Sequence, residues 1–286
     1  MVFALSHIGN TSLESVRYLM ASVAASQGSA QRSEPDEKDV EMQQASLVAI
    51  GNIMSLVRAK RIEAGERLPS ERDLAERFDM SRGVIREALA ALEVMRFIER
   101  RPNSGIYLRD TEAEGSFEAL VLQAHLGLPI KVSEVVQALE LRRIMEVQAI
   151  RLACERATPK DLRAIRLSLE AANKRIEKGM TIETEDQLFH LSIVGATKND
   201  VFLRVVNAFY EVSRPRRKIF FRSLDQSAAS NRDHHIIYAA LEKGDADAAA
   251  EAMDRHLLSA AAHWKDLLIA NPRQLKQLTQ DNSNED

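Results

Sequence analysis

The stretch LPSERDLAERFDMSRGVIREALAALEVMRFIERRPNSGIYL, residues 68–108, decides the fold of the N-terminal part of the chain. Ser70 is followed three residues later by Asp73, which predicts a capping box at the start of a short helix. Ser81 predicts the cap of a second, longer helix that reaches about Met95. The apolar residues of this second helix recur at helical spacing: Ile85, Ala88, Leu89 and Leu92. Two helices in this order predict a helix-turn-helix.

The residues on either side of these helices complete a larger pattern. Upstream, apolar residues spaced 3, 4 and 3 apart predict an amphipathic helix: Leu47, Ile50, Met54 and Val57. Downstream, FIERRPNSGIYLRD (97–110) predicts two short strands around a tight turn at 102–105. Three helices followed by a hairpin within about 70 residues is the order of a winged helix-turn-helix.

The same stretch resembles the GntR family of bacterial transcription regulators. The matching segments are LPSER (68–72), Leu74 with Ala75, Ser81 with Arg82, REAL (86–89) and Gly105. The match covers most of residues 44–109 and keeps the internal spacing of the family pattern. The resemblance implies that a DNA operator is bound by Arg72, Ser81, Arg82, Arg86 and Gly105. At two places the chain departs from the pattern: Gly83 and Val84 replace residues that are often polar, and Asn103 replaces a common wing glycine.

The chemistry of the arginines agrees with this resemblance. Arg82 and Arg86 are one helical turn apart, so both emerge beside the apolar stripe of the helix. An arginine near a helix N-terminus can reach a guanine edge in the major groove of DNA. The alternative is that these arginines only solvate the surface or pair with nearby acids: Glu76, Glu87 and Glu93.

Composition places further limits on the whole chain of 286 residues. Only 11 glycines and 7 prolines favour helices over an all-β fold. The net charge is -3, and residues 40–110 hold 12 Lys and Arg against 11 Asp and Glu, so charge alone does not indicate DNA binding. A single cysteine excludes an internal disulfide. The sequence shows neither a secretory signal nor an apolar run long enough for a membrane span, so we expect a cytoplasmic protein.

The sequence predicts five segments. Residues 1–39 form a flexible extension, residues 40–110 the winged helix-turn-helix domain, and residues 111–130 a linker. Residues 131–270 form an all-helical domain, and 271–286 a flexible tail. Within the helical domain, a cap at Thr158 before Pro159 and a break at Gly244 support an antiparallel bundle of six or seven helices. The expected fold class is therefore mainly α.

Four residues of the helical domain suit a metal ion. Asp186 and His190 lie four residues apart in DQLFH, so a helix places them on one face, and His234 and His256 lie in two later helices. One carboxylate and three imidazoles are suitable ligands for zinc, nickel or manganese. Spacing alone leaves open that these are ordinary core or surface histidines, and His235 competes with His234.

A second resemblance bears on these residues. The segments LRRIME (141–146), DQLFH (186–190), HHII (234–237) and HL (256–257) resemble the ligand domain, called FCD, of the FadR-like GntR subfamily. The resemblance implies that Asp186, His190, His234 and His256 bind a divalent metal. It also implies that Arg142 and Asn199 bind a small organic acid. A salt bridge from Arg142 to Glu146 and a helix cap at Asn199 remain alternatives.

The most basic stretch, RPRRKIFFR (214–222), has two interpretations. It could contact DNA or an anionic ligand, but the pattern favours a solvated helix face. No nucleotide-binding loop or nucleophile elbow is present in the sequence.

Together these observations predict a ligand-responsive transcription regulator and not an enzyme. We expect a homodimer on a palindromic operator, repression of a catabolic operon with activation as the alternative, and relief by a small carboxylate at the metal site. The alternatives are a metal-dependent enzyme and a pure metal sensor. We expect no membrane partner.

Overall fold

The computed structural model describes residues 37–110, 114–126 and 132–270. The chain divides into two compact units, 1–128 and 129–286. The predicted flexible tail at 271–286 and all but the last three residues of the predicted extension at 1–39 lie outside the described residues. The described part is mainly helical, which confirms the expected fold class.

The described part of the N-terminal unit contains four helices and one hairpin. These are α1 (Glu37–Ala59), α2 (Glu71–Phe78), α3 (Arg82–Val94), β1 (Ile98–Arg101), β2 (Gly105–Leu108) and α4 (Phe117–His125). The predicted caps are present: Ser70 and Asp73 form the capping box of α2, and the Ser81 side chain accepts a hydrogen bond from the backbone N–H of Val84 at the start of α3. Local polar side chains therefore fix where both central helices begin.

The hairpin forms the wing. β1 and β2 pair antiparallel, with Ile98 opposite Leu108, and the turn passes through Asn103 at a φ of 57°. Asparagine tolerates this left-handed backbone better than most residues, so it can stand where a wing glycine is common. The segment before α2 pairs with β2, because the N–H of Leu68 donates to the carbonyl of Ile106 at 2.8 Å.

The core of this unit lies between α1, α3, the hairpin and α4. Its fully buried members include Ile50, Leu74, Leu89, Leu92 and Ile98. Helix α4 differs from the expectation, because residues 117–125 fall in the predicted linker. They fold because Leu122, which is 1 % exposed, packs into this same core.

The C-terminal unit contains six helices in its described part, within the predicted six or seven. They are α5 (Val132–Arg156), α6 (Pro159–Glu177), α7 (Glu183–Ala196), α8 (Asp200–Phe220), α9 (Leu224–Glu242) and α10 (Ala246–Ala270). Thr158 caps α6 with Pro159 in the first turn, as predicted. Helix α9 begins at Leu224 because Ser223 supplies a cap: its side chain accepts from the N–H of Gln226.

Five of the six described helices of the C-terminal unit share one apolar core: α5, α6, α7, α9 and α10. Helix α5 packs against α10 and α7, α6 packs against α7 and α9, and α7 also packs against α8. The apolar core includes Ile150, Leu169, Phe189, Ile237 and Met253. Among the described helices, none is both long and apolar enough to cross a lipid bilayer.

The wing yields a stability prediction. Gly105 has a φ of 139°, and a Cβ added there would lie 2.6 Å from the Nε of Arg67, whose side chain crosses over the glycine. We expect Gly105→Ala to destabilise the N-terminal unit by about 1–3 kcal/mol, because an L side chain is strained at this φ. Hydrogen exchange at the amides of residues 98–108 measures the change.

Gly83→Ala is the matched control in the same unit. Gly83 lies inside α3, and an added Cβ meets only Ser81 at an ordinary contact distance of 3.7 Å. We expect this variant to stabilise the unit by roughly 0.5–1 kcal/mol, because alanine loses less backbone entropy than glycine in a helix. Equal protection of the wing in wild type and Gly105→Ala would contradict the prediction.

Candidate metal centre and nucleic-acid interface

Three helices of the C-terminal unit bring the four predicted metal ligands together. Helix α7 supplies Asp186 and His190 one turn apart, α9 supplies His234, and α10 supplies His256. One ligand atom of each residue lies within 4.8 Å of the other three. All four side chains are buried, and the most exposed, His256, is only 7 % exposed.

The distances within this group fit a metal ion. The Nε2 of His234 lies 3.2 Å from the Nε2 of His190, 3.3 Å from the Nε2 of His256 and 3.4 Å from the Oδ1 of Asp186. Ligand atoms at the corners of a tetrahedron with bonds of about 2.1 Å lie roughly 3.4 Å apart. The donor set, with three imidazoles and one carboxylate, is also one that borderline divalent ions prefer.

The outer nitrogens of two histidines face carboxylates. The Nδ1 of His190 contacts Glu146, and the Nδ1 of His256 lies 3.2 Å from the Oδ2 of Asp233. A carboxylate at Nδ1 keeps the proton on that nitrogen and leaves the lone pair of Nε2 directed at the centre. The lone pairs of these two histidines then face the centre of the group, and this arrangement favours a bound metal.

Burial keeps His234 and His256 neutral. Burial, with smaller effects of His256 and His190, lowers the pKa of His234 well below its ordinary value. Burial likewise lowers the pKa of His256, although the hydrogen bond from its Nδ1 to Asp233 partly opposes it. Neutral imidazole is the form that binds metals. The ring of Phe189 stacks on His234 with centroids 4.1 Å apart and so fixes its orientation.

A buried polar group adjoins the histidines. The Nε of Arg142 donates to the Oε1 of Glu146 at 2.6 Å, and its Nη2 donates to the hydroxyl of Tyr210 at 2.8 Å. The Tyr210 hydroxyl in turn donates to Glu146 at 3.0 Å. Burial acts to raise the pKa of Glu146, but His190 and Arg142 outweigh it and hold this pKa below its usual range. The alternative of an Arg142–Glu146 salt bridge is therefore present beside the metal ligands.

Two other predictions have a different outcome. Asn199 is exposed and caps α8, since its Oδ1 accepts from the N–H of Phe202 at 3.0 Å, so the structure does not bring it to the histidines. The solvated face expected for residues 214–222 is wrong for Arg217, which is 5 % exposed and lies 4.0 Å from Asp186. Its position on α8, seven residues after Tyr210, turns it inward. Sequence reasoning missed Tyr210 and Ser230, which lie on other helices and carry no motif.

The predicted DNA-contacting residues lie in the N-terminal unit. Arg72 on α2, Arg82 and Arg86 on α3, and Gly105 at the start of β2 line one concave surface, which we call the arginine groove. Three arginines that the sequence did not single out also line it: Arg67, Arg100 and Arg101. Glu71 is the only acidic side chain among the described residues that line this groove.

The arginines remain accessible. Arg86 lies 3.5 Å from Glu71, and its side chain is 66 % exposed, so this pair contributes little and leaves the guanidinium free to bind another anion. Glu93, one of the acids considered as a partner of these arginines, pairs with Arg100 instead. Ser81 is exposed, and its hydroxyl caps α3 at 3.3 Å without lining the groove.

Comparison with known proteins matches each unit to a family. Residues 48–108 match the model of the bacterial regulatory proteins of the gntR family, and residues 137–259 match the model of the FCD domain. These ranges include the arginine groove residues from Arg67 to Gly105 and all four metal-ligand candidates.

Similar proteins are bacterial transcription regulators. The chain is 31 % identical over 207 residues to the HTH-type transcriptional regulator LutR of Bacillus subtilis, covering 71 % of this chain and 93 % of that protein. It is 32 % identical over 212 residues to the Uxu operon transcriptional regulator of Escherichia coli, covering 72 % and 80 %. A solved structure of Lar from Listeria monocytogenes shares the fold, with a TM-score of 0.56 at 17 % identity over 76 % of this chain and 94 % of that one.

The buried histidines make stability depend on pH. Because burial lowers the pKa of His234 and His256 below 6.5, the unfolded chain takes up protons before the folded one. The contribution of these two histidines to stability is therefore fully present above their pKa in the unfolded chain. It is lost as the pH falls toward their lower pKa values in the folded protein. We expect the free energy of unfolding of protein treated with a chelator to decrease as the pH falls from about 7.5 to about 5.5, measured by urea denaturation.

A pair of variants isolates the cause. Replacing both His234 and His256 with Gln should flatten this pH dependence, whereas His235→Gln, on the exposed side of the same helix, should leave it unchanged. A free energy of unfolding that rises on acidification over the same range would show that other groups dominate.

Proposed function

The chain belongs to the GntR family of bacterial regulatory proteins and carries an FCD domain, and we propose that it represses an operon until a small carboxylate binds in its C-terminal unit. It is a transcription regulator and not an enzyme. The observation that carries the proposal is the buried group of one aspartate and three histidines beside Arg142, in a different unit from the arginine groove.

The arginine groove is the proposed DNA contact. Arg82 and Arg86 project from the first half of α3, so they are the residues we expect to read base edges in the major groove. We expect Arg72 to hold a phosphate or a neighbouring base, and the wing at Gly105 to approach the minor groove. A homodimer would present two copies of this groove to a palindromic operator, so two half-sites would be contacted in place of one. We expect this to take place in the cytoplasm.

The proposed metal is a divalent ion of the zinc, nickel or manganese class. Asp186, His190, His234 and His256 would hold it, with Glu146 and Asp233 orienting two of the imidazoles. When bound, the ion supplies a positive centre to which an anionic oxygen of the effector can bind. Arg142 bonds to Glu146, and Glu146 contacts His190, so Arg142 lies beside this centre. Its guanidinium would supply a second positive charge near the effector.

The proposed control is a shift of population between two states of the protein. A carboxylate that binds the metal-loaded state of the C-terminal unit more tightly in one conformation favours that conformation by its difference in affinity. Operator affinity falls if the favoured conformation places the DNA-binding units less well. A pure metal sensor remains the second candidate, because the same four ligands would suffice without an organic acid.

The proposal predicts a specific pattern in two binding assays. We expect metal-loaded protein to select palindromic sequences from a library of random DNA duplexes, and Arg82→Ala with Arg86→Ala to abolish this selection without removing the metal. A carboxylate at 100 times its dissociation constant should stabilise the protein by about 2.7 kcal/mol in a thermal melt, and a chelator should remove the effect. The same carboxylate should weaken operator binding, measured by fluorescence anisotropy.

Two variants provide the controls. Asp186→Asn and His256→Gln should reduce metal content and the carboxylate response together, while leaving selection of DNA by the other unit testable on its own. Operator binding that responds to metal and chelator but to no carboxylate would establish the metal-sensor alternative. Transcripts of the neighbouring operon that do not rise after deletion of the gene would refute repression.

A further inference from the structure

Arg217 has an unusual environment for a charged side chain. It lies on α8, is 5 % exposed, and is packed with its Cζ 4.8 Å from the centre of the Tyr210 ring. Its Nη2 donates to the amide oxygen of Gln187 at 2.6 Å. Its Nε and Nη1 are buried and have no hydrogen-bond partner among the residues that the structure describes.

The charge of Arg217 is only loosely balanced. Its two acidic neighbours, Glu183 at 3.8 Å and Asp186 at 4.0 Å, both lie beyond hydrogen-bond distance, and its one close partner is a neutral amide. A buried charge without a close counter-ion is costly, and buried polar groups in native proteins are almost always paired. A missing anionic partner explains this environment.

Arg142 differs in this respect. Two of its guanidinium nitrogens already bond to Glu146 and Tyr210, so a large part of its hydrogen-bonding capacity is used within the protein. Arg217 keeps two of its three nitrogens without partners in the described part of the chain. Of the two buried arginines, Arg217 is the one with capacity for a ligand.

Arg217 also lies close to the metal-ligand candidates. The Oδ1 of Asp186 is 3.4 Å from the Nε2 of His234, and the Oδ2 of the same carboxylate is 4.0 Å from the Nη1 of Arg217. The guanidinium and the histidines are thus separated by the width of one carboxylate group. A small molecule could bind both.

We propose that Arg217 binds a second carboxylate of the effector, so that the regulator responds to a short dicarboxylate with one end at the metal and the other at Arg217. This inference rests on the proposed function. Guanidinium is the side chain best suited to a carboxylate, since it offers several N–H donors in one plane. The separation just described limits the spacer between the two carboxylates to a few carbon atoms.

Matched pairs of acids test the proposal. Each dicarboxylate is compared with the monocarboxylate of the same chain length: malonate with propionate, succinate with butyrate, and glutarate with valerate. Isothermal titration of zinc-loaded full-length protein gives the dissociation constants. We expect at least one dicarboxylate to bind about tenfold or more tightly than its partner, because the second end gains a charged contact that the monocarboxylate lacks.

Three variants locate the effect. Arg217→Gln should weaken dicarboxylate binding by about tenfold or more while monocarboxylate binding changes by less than about twofold. Arg217→Lys keeps the charge without the planar group and should retain part of the preference. Lys218→Gln removes one positive charge from the exposed neighbour on the same helix and should change neither constant. Metal content is measured for every variant, and we expect no change.

The outcomes separate this inference from the proposed function. Wild-type protein that binds monocarboxylates and dicarboxylates equally, or an Arg217→Gln variant with unchanged preference, overturns the inference and leaves the proposed function standing. An Arg217→Gln variant that loses metal, or both kinds of acid equally, shows that Arg217 only positions Asp186. If Arg217→Gln does not fold, unchanged preference in Arg217→Lys overturns the inference. If no acid of either series binds, both the inference and the carboxylate effector fail.

Discussion

Glu146 is the acceptor around which the buried charges of the C-terminal unit are arranged. It receives the guanidinium of Arg142, the hydroxyl of Tyr210 and the imidazole of His190, and so connects three helices through one side chain. Burial alone would drive this carboxyl to its neutral form, and the cationic and polar neighbours reverse that effect. Because Glu146 contacts the Nδ1 of His190, it also sets the direction of the Nε2 lone pair. The metal-ligand geometry of the unit therefore depends on an ion pair that itself contains no ligand atom.

Much of the fold could be predicted from the sequence because it is encoded by near neighbours. Ser70 with Asp73, and Thr158 with Asp161, form capping boxes over three residues, and each fixes the start of a helix wherever that helix packs. Asp186 and His190 share a face because a helix repeats every 3.6 residues. That His234 and His256 join them followed from the family resemblance, since no local spacing connects residues on separate helices.

The remaining features depend on contacts between residues far apart in the chain. Tyr210 is 64 residues from Glu146, and nothing in its neighbourhood marks it as a polar partner. Arg217 stands in a run of basic residues that is typical of a solvated surface. Neighbouring residues of a helix point in different directions, so Arg217 faces Asp186 while Lys218 is exposed. Gly105 was expected to allow close approach of DNA, and the structure adds a crossing side chain from Arg67. Helix α4 was missed although Ser116 caps it, because its packing depends on Leu122, which is buried in the core of a domain formed by residues earlier in the chain.

The order of the elements along the chain has a consequence for synthesis on the ribosome. The N-terminal unit ends at residue 128, whereas the metal-ligand candidates come from α7, α9 and finally α10, at His256. At about 5–20 residues per second, the 128 residues between these points take roughly 6–25 s to translate. For that interval each nascent chain carries a complete DNA-binding unit without a complete sensor. During this interval the nascent chain cannot bind an effector at the proposed site. Any contact that its DNA-binding unit makes with the chromosome in that time is therefore unregulated.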